Sequence, residues 1–184
     1  MRRGWRTSDQ AAWGGVMVAL AFLLGAVERM LPPISSTVPG VKLGLANLPV
    51  LITLYACGSG LALCVTCARA VLSGLLFGGP MMAMYGMVGA LVSFAAMACA
   101  RGLSMRTSGG GLGVPGVSLL GGVCHNMGQW LVAACLLRAP GLWSLLPLLI
   151  VSGAVSGFVM GLLASCILRR PNVRTLSNRL RRPS

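Results

Sequence analysis

The chain has 184 residues, of which 56% are hydrophobic and only 9% are charged, and its 15 basic and 2 acidic residues give a net charge of +13. A soluble domain carries about 25% charged residues, so this composition excludes a soluble fold, and the high apolar content excludes a disordered chain. The acidic residues, Asp9 and Glu28, are too few to form a carboxylate site for a metal ion. We therefore expect an integral membrane protein without a metal or other cofactor.

Six apolar runs, each near the roughly 20 residues that cross a bilayer as a helix, follow one another along the chain. The first is longer than the hydrophobic core of a signal peptide, so we expect it to be retained. Glycine, proline or charge marks the ends of the runs, and residues 101–115 form a glycine-rich connection. The predicted helices cover residues 11–30, 41–57, 61–77, 81–100, 116–137 and 142–168.

These runs predict an all-α integral membrane protein built as a six-transmembrane-helix bundle. Residues 1–10 and 169–184 form basic tails, and residues 11–168 form the membrane domain. The glycine-rich connection lacks the Lys-Ser/Thr pair of a phosphate-binding loop, so we expect the chain to have no nucleotide site of its own. The second and third apolar runs are the shortest of the six.

The basic residues are better explained by membrane topology than by nucleic-acid binding. A nucleic-acid interface usually has aromatic residues among its basic ones, and aromatic residues make up only 5% of this chain. With six spans, eleven basic residues fall on the side of both termini: Arg2, Arg3, Arg6, Arg101, Arg106, Arg169, Arg170, Arg174, Arg179, Arg181 and Arg182. The other side has only Arg29, Lys42 and Arg138. Cytoplasmic loops carry the excess of Lys and Arg, so we expect both termini in the cytoplasm and a multi-pass protein of the cell membrane.

Polar residues inside a bilayer are costly and usually face a cavity or a partner. The predicted topology places all the strongly polar side chains between the midplane and the outer surface. These candidate substrate-binding residues are Glu28, Lys42, Asn47, Arg69, His125, Asn126 and Gln129. The pattern is typical of a site that opens to the outside.

Each of these residues also has a structural interpretation. Glu28 can pair with a neighbouring cation, Lys42 can extend to the headgroups, and His125 or Asn126 can form hydrogen bonds between helices. Arg69 is the hardest to explain structurally, because an arginine in mid-helix is costly. Together, the cations Lys42 and Arg69 and the single carboxylate of Glu28 favour an anionic or zwitterionic ligand.

Small residues recur every fourth position on two helices, as Ala11, Gly15 and Ala19 and as Gly153, Gly157 and Gly161. Such stripes allow close helix contact. For the first helix two interpretations stay open, namely packing within the bundle and docking of another membrane subunit.

Three blocks of the sequence carry a family resemblance: PGVKLGLANLPVL (39–51), RAVLSGLLFGG (69–79) and GGVCHNMGQ (121–129). They resemble the bacterial family labelled heptaprenyl diphosphate synthase component I, also called the Gx transporter family. That family is similar to the substrate-binding S-components of energy-coupling factor vitamin transporters. The resemblance implies six helices, an outward-facing site and docking through small residues of the first helix to a coupling subunit that works with two ATPases.

The two family labels imply different functions. Prenyl diphosphate synthesis uses aspartate-rich motifs to bind magnesium, and this chain has one Asp. The residues therefore favour a non-enzymatic substrate-binding subunit of an ATP-driven uptake transporter, whose substrate is a small anionic or zwitterionic, vitamin-like nutrient. Two alternatives remain: a membrane component of isoprenoid or quinone metabolism, and a stand-alone secondary transporter with proton coupling through Glu28 or His125.

Overall fold

The computed structural model describes residues 7–30, 44–106, 111–137, 140–171 and 173. Lys42, Arg138, most of both basic tails and the connections at 31–43 and 107–110 lie outside this part of the chain. Every regular element among the described residues is helical, which confirms the predicted all-α class.

In the described part of the chain, five long helices and one short helix make up the bundle. The α-helices are α1 (Thr7–Met30), α2 (Asn47–Cys57), α3 (Ser59–Phe77), α4 (Gly79–Arg106), α5 (Val114–Leu137) and α6 (Leu146–Arg169), with a 3₁₀ helix (Pro140–Leu145) before α6. All but α2 are long and apolar enough to cross a membrane. Their outer surfaces are apolar, as at Val16, Leu75 and Val155, which are 60%, 69% and 60% exposed. Because lipid is the solvent that suits such a surface, the chain is a multi-pass membrane protein.

The second helix is shorter than the sequence predicts. It was expected over 41–57, but Gly44 has a φ of +73° and residues 45–46 form a turn, so α2 begins at Asn47. Pro49 explains the boundary, because its ring would clash with the carbonyl of Leu45 if the helix extended further back. The 11 residues of α2 span only about 16 Å at 1.5 Å per residue, or about half of a 30 Å hydrocarbon core.

The short α2 lies at the centre of the bundle, where it contacts α1, α3 and α6. Its residues from Leu48 to Leu54 are all buried, as expected for a helix that is apolar on every side. Its leucines join the main hydrophobic cluster with side chains from the five long helices, including Met17, Val65, Phe94, Val117 and Met160. The longer helices therefore surround α2 and hold its N-terminus at a fixed depth.

The helix α4 is longer than predicted, because it continues past Ala100 to Arg106. The apolar run marks only the part of a helix that suits the hydrocarbon core, whereas backbone hydrogen bonding continues into the polar region. In this extension the Arg101 guanidinium lies 5.2 Å from the centre of the Tyr55 ring of α2. The contact joins α4 to the end of α2 that lies away from Asn47.

Glycines bring α5 and α6 into backbone contact. A Cβ on Gly157 would lie 2.5 Å from the carbonyl oxygen of Ser118, and one on Gly153 would lie 2.7 Å from that of Gly122. The stripe of Gly153, Gly157 and Gly161 is buried along this contact. This stripe therefore serves packing within the bundle.

Candidate functional site

A cavity of about 110 Å³ lies at one end of the bundle. It is bounded by the C-terminal turns of α1, the C-terminal half of α3, the first turns of α2 and α4 and the later half of α5. Helices that follow one another in the chain run in opposite directions, so the end of α1 meets the start of α2 and the end of α3 meets the start of α4. The cavity wall includes Gly25, Glu28, Arg29, Gly44, Ala46, Asn47, Arg69, Ala70, Ser73, Gly74, Met82, Tyr85, Gly86, His125 and Gln129.

Five of the predicted substrate-binding residues line this one cavity, namely Glu28, Asn47, Arg69, His125 and Gln129. They come from four different helices, so only the tertiary fold brings them together. Of the remaining two, Lys42 lies outside the described residues, and Asn126 is not among the cavity-lining residues.

Asn126 faces the α5–α6 contact. Its Nδ2 donates a hydrogen bond to the carbonyl oxygen of Leu149 at 2.8 Å and lies 3.3 Å from the Oγ of Ser152. Adjacent residues of a helix point about 100° apart, so His125 can line the cavity while Asn126 binds α6. Asn126 thus makes the contact between helices that the sequence offered as its structural interpretation.

Arg69 is anchored to the start of α2. Its Nη2 donates a hydrogen bond to Oδ1 of Asn47 at 3.1 Å. Its buried Nε has no hydrogen-bond partner among the described residues. A buried guanidinium N–H without a partner is unfavourable, so an acceptor in the cavity would improve the environment of Arg69. The N-terminal end of α2 carries a partial positive charge, which adds to the positive charge of Arg69 at the cavity.

Glu28 is tied to the turn before α2. Its Oε1 accepts a hydrogen bond of 2.6 Å from the backbone N–H of Gly44. A carboxylate beside a helix N-terminus is favourable, and the bond joins α1 to the turn before α2 at the cavity wall. Glu28 lines the same cavity as Arg69, so its carboxylate supports the turn and offsets part of the positive charge there.

Arg29 is a cavity residue that the sequence interpretation missed. Its Nε donates to the carbonyl oxygen of Gly25 at 3.1 Å, and its guanidinium lies 4.4 Å from the centre of the Phe77 ring. Phe77 in turn stacks on Phe22 with the ring centres 5.4 Å apart. At the end of an apolar run Arg29 looked like a topology signal, and no local pattern predicts its contact with Phe77.

Close packing between α4 and α5 positions His125 and Gln129. A Cβ on Gly89 would lie 2.8 Å from Cγ of Gln129 and 3.3 Å from Cε1 of His125. Because Gly89 has no side chain, α4 approaches α5 closely and holds both polar groups beside the cavity. The signal for this contact in the sequence is Gly89 itself, in the middle of an apolar helix.

The cavity carries an excess of positive charge among the described residues, because two arginines and one carboxylate line it. The described part of the chain contains no group of three His, Cys, Asp or Glu side chains that would hold a metal ion. Such a cavity is suited to binding an anion through guanidinium, amide and imidazole groups.

The small residues of α1 lie on the outer surface of the bundle. Ala11, Gly15 and Ala19 are all exposed, and a Cβ on Gly15 would meet no atom of the described residues within 4 Å. The inner face of α1 uses other residues, including Gly14, Met17 and Ala21, which are buried. The stripe on α1 therefore does not serve packing within the described bundle.

Comparison with known families agrees with the resemblance seen in the sequence. A search of curated proteins found no match. A family profile described as heptaprenyl diphosphate synthase component I matches residues 17–167, which is most of the chain and nearly all of the helical bundle. The chain therefore belongs to the heptaprenyl diphosphate synthase component I family.

Proposed function

We propose that this protein is the membrane-embedded substrate-binding subunit of an ATP-driven uptake transporter. Its ligand is a small anionic or zwitterionic, vitamin-like nutrient. The observation that carries the proposal is the cavity around Arg69, whose Nε is buried without a partner among the described residues. In this proposal the chain is not an enzyme and resembles the S-components of energy-coupling factor transporters.

The half-length α2 supports a transport site. In secondary transporters, short helices end near the membrane midplane and direct their positive N-termini at anionic groups of the substrate. Here α2 begins at Asn47, in the cavity wall. We propose that α2 belongs to the second of six passes and that both termini are cytoplasmic, in agreement with the distribution of basic residues.

The size of the cavity favours a compact ligand. Pockets for drug-sized molecules measure about 300–1,000 Å³, whereas this cavity measures about 110 Å³. A prenyl diphosphate with a long isoprenoid chain would extend far outside it. A small nutrient with one anionic group suits both the volume and the charge.

Energy for uptake would come from partner subunits. The exposed small residues Ala11, Gly15 and Ala19 of α1 form a surface that could receive them. We propose that this stripe docks a transmembrane coupling subunit, which in turn binds two ATPases. Close approach of two helices needs small residues at the interface, and this stripe has them.

Binding to the purified protein tests the site. We expect at least one anionic or zwitterionic compound of a vitamin panel to raise the melting temperature, and Arg69→Ala to weaken its binding at least tenfold, because a charge-assisted hydrogen bond is lost. Arg106→Ala is the matched control, since Arg106 lies at the other end of α4 and its loss should leave binding unchanged. Unchanged affinity in Arg69→Ala for every bound compound would rule out this site.

A second candidate function follows from the family description, which names a component of a prenyl diphosphate synthase. The chain would then act as a non-catalytic membrane partner, since its two acidic residues cannot supply an aspartate-rich magnesium site. Affinity purification from native membranes separates the two candidates. Recovery of a coupling subunit with ATPases supports transport, and recovery of a soluble prenyltransferase instead supports the second candidate.

A further inference from the structure

Gly86 marks a place where the inward face of α4 leaves space. The next inward positions, Gly89, Ala90 and Ser93, are buried against the bundle. Gly86 itself lines the cavity, and a Cβ added there would meet no atom of the described residues within 4 Å. Residues three, four and seven positions apart share a helix face, so the missing side chain at Gly86 leaves the space open towards the cavity.

Helix contacts place this space at the depth of the cationic group. Gly74 of α3 packs against Ala83 of α4, and the two helices form a hairpin around Gly78. With equal rise in both helices, Gly86 is level with a position about two residues after Arg69. On the α5 side, the contact of Gly89 with Gln129 places Gly86 close to the level of the Gln129 side-chain amide. The open space thus lies between the α3 and α5 walls of the cavity.

We propose that Gly86 is the specificity-determining position of this site and sets the maximum size of its ligand. The ligand is a compact organic anion whose charged group binds Arg69 and whose body fills the space at Gly86. This inference rests on the proposed function of the cavity, which it makes more specific. One methyl group in such a space changes binding of a ligand that fills it by roughly 10–200-fold.

Thiol labelling tests the access and the charge selectivity without knowledge of the nutrient. The full-length Gly86→Cys variant in lipid nanodiscs is treated with 2-sulfonatoethyl methanethiosulfonate, an anion, or with the cationic 2-(trimethylammonium)ethyl reagent. Peptide mass spectrometry then reads modification at position 86. Relative to a free thiol in solution, we expect the anion to be favoured at least tenfold, and Arg69→Gln in the same chain to abolish that preference. Equal relative rates, or no labelling by either reagent, would overturn the proposal.

A second reporter tests the size limit. Ser73 lines the cavity from α3, so a Ser73→Cys thiol reports whether the sulfonatoethyl reagent can reach the interior. We expect Gly86→Leu to slow this labelling at least tenfold and Gly86→Ala to slow it less. Gly102→Leu is the matched control, because Gly102 is on the same helix and is also open to a Cβ, but does not line the cavity.

Melting temperatures show whether the Gly86 variants fold, which the size test requires. Alanine is favoured over glycine inside a helix, so Gly86→Ala and Gly102→Ala should both raise the melting temperature where no clash occurs. If Gly86→Leu fails to fold, the Gly86→Ala result decides. The labelling rate of Ser73→Cys is then compared between a folded Gly86 variant and the Gly102 control. Equal rates would show that Gly86 does not limit the size of the cavity.

The outcome separates this inference from the proposed function. Anion-selective labelling in a protein that recovers no coupling subunit or ATPase would leave the size-limited anion site in place and remove the transport role. Unselective labelling in a protein that does recover those subunits would leave the transport role in place and remove the size-limited anion site.

Discussion

A single arginine in the middle of an apolar helix carries the strongest functional signal in this chain. On insertion scales an arginine at the centre of a membrane helix costs roughly 2.5–3.5 kcal/mol, so the sequence alone predicts that Arg69 faces a cavity or a partner. The structure shows both, a cavity wall and a hydrogen bond of 3.1 Å to Asn47. Asn47 was a candidate from its residue type, but its contact with Arg69 depends on where α2 begins.

His125 and Asn126 show the limit of prediction at this scale. Both are polar residues of one apolar helix, and they were assigned to the same site. The structure directs His125 to the cavity and Asn126 to the α5–α6 contact, where it binds the Leu149 carbonyl. Two adjacent polar residues do not by themselves show which neighbouring helix each of them faces.

Glu28 makes a prediction at the residue scale. Its carboxylate accepts the Gly44 N–H at 2.6 Å, so Glu28→Ala should lower the free energy of unfolding by about 1–3 kcal/mol, the usual cost of leaving a polar group without its partner. Glu28→Gln is the matched control, because its amide oxygen can still accept that bond. Denaturant unfolding in detergent measures both. Equal losses in the two variants would show that the charge, and not the acceptor, is what the turn requires.

Two stripes of small residues with the same spacing have different environments at the scale of elements. Gly153, Gly157 and Gly161 of α6 are buried against α5, whereas Ala11, Gly15 and Ala19 of α1 are exposed. The sequence marks both as sites of close helix contact. The difference arises because α1 presents other small residues to the bundle, namely Gly14 to α3 and Gly25 to the turn before α2.

A matched pair of substitutions tests this difference. Gly157→Ala would place its Cβ 2.5 Å from the Ser118 carbonyl oxygen, so the α5–α6 contact must open, at a cost of about 1–3 kcal/mol. Gly15→Ala meets no described atom within 4 Å and should stabilise the protein by about 0.5–1 kcal/mol. Melting temperatures of the two variants should therefore shift in opposite directions. A destabilised Gly15→Ala variant would contradict the exposed placement of this stripe.

At the scale of the whole molecule, the bundle has a polar cavity near one end and a largely apolar outer surface along its long helices. The predicted topology puts that cavity on the outer side of the membrane, because Glu28 and Arg29 end α1 while the cytoplasmic excess of arginine precedes it. The stripe of Ala11, Gly15 and Ala19 lies in the first half of α1, nearer the opposite side. A ligand and a coupling subunit would thus bind at separate ends of the same helix.

The docking proposal makes a prediction at this scale. Gly15→Leu places a large side chain on the outer surface of α1, where a Cβ meets no described atom, so folding and ligand binding should be preserved. Recovery of the coupling subunit in affinity purification should fall at least tenfold, because close helix approach needs a small residue. Gly60→Leu is the control, since Gly60 is an equally open position on α3. Unchanged recovery with Gly15→Leu would place the docking surface elsewhere.

Composition and the apolar runs by themselves determined that the protein is an all-helical membrane protein, where its long helices lie and which polar residues need a cavity or partner. These follow from the sequence because the bilayer penalises every polar group in the same way, wherever it lies in the fold. The tertiary structure alone decided that α2 is a buried half-length helix, that Arg29 joins the cavity and that Asn126 does not. It also decided that Gly86 faces open space, because the direction of a side chain depends on which helices pack together and at what register.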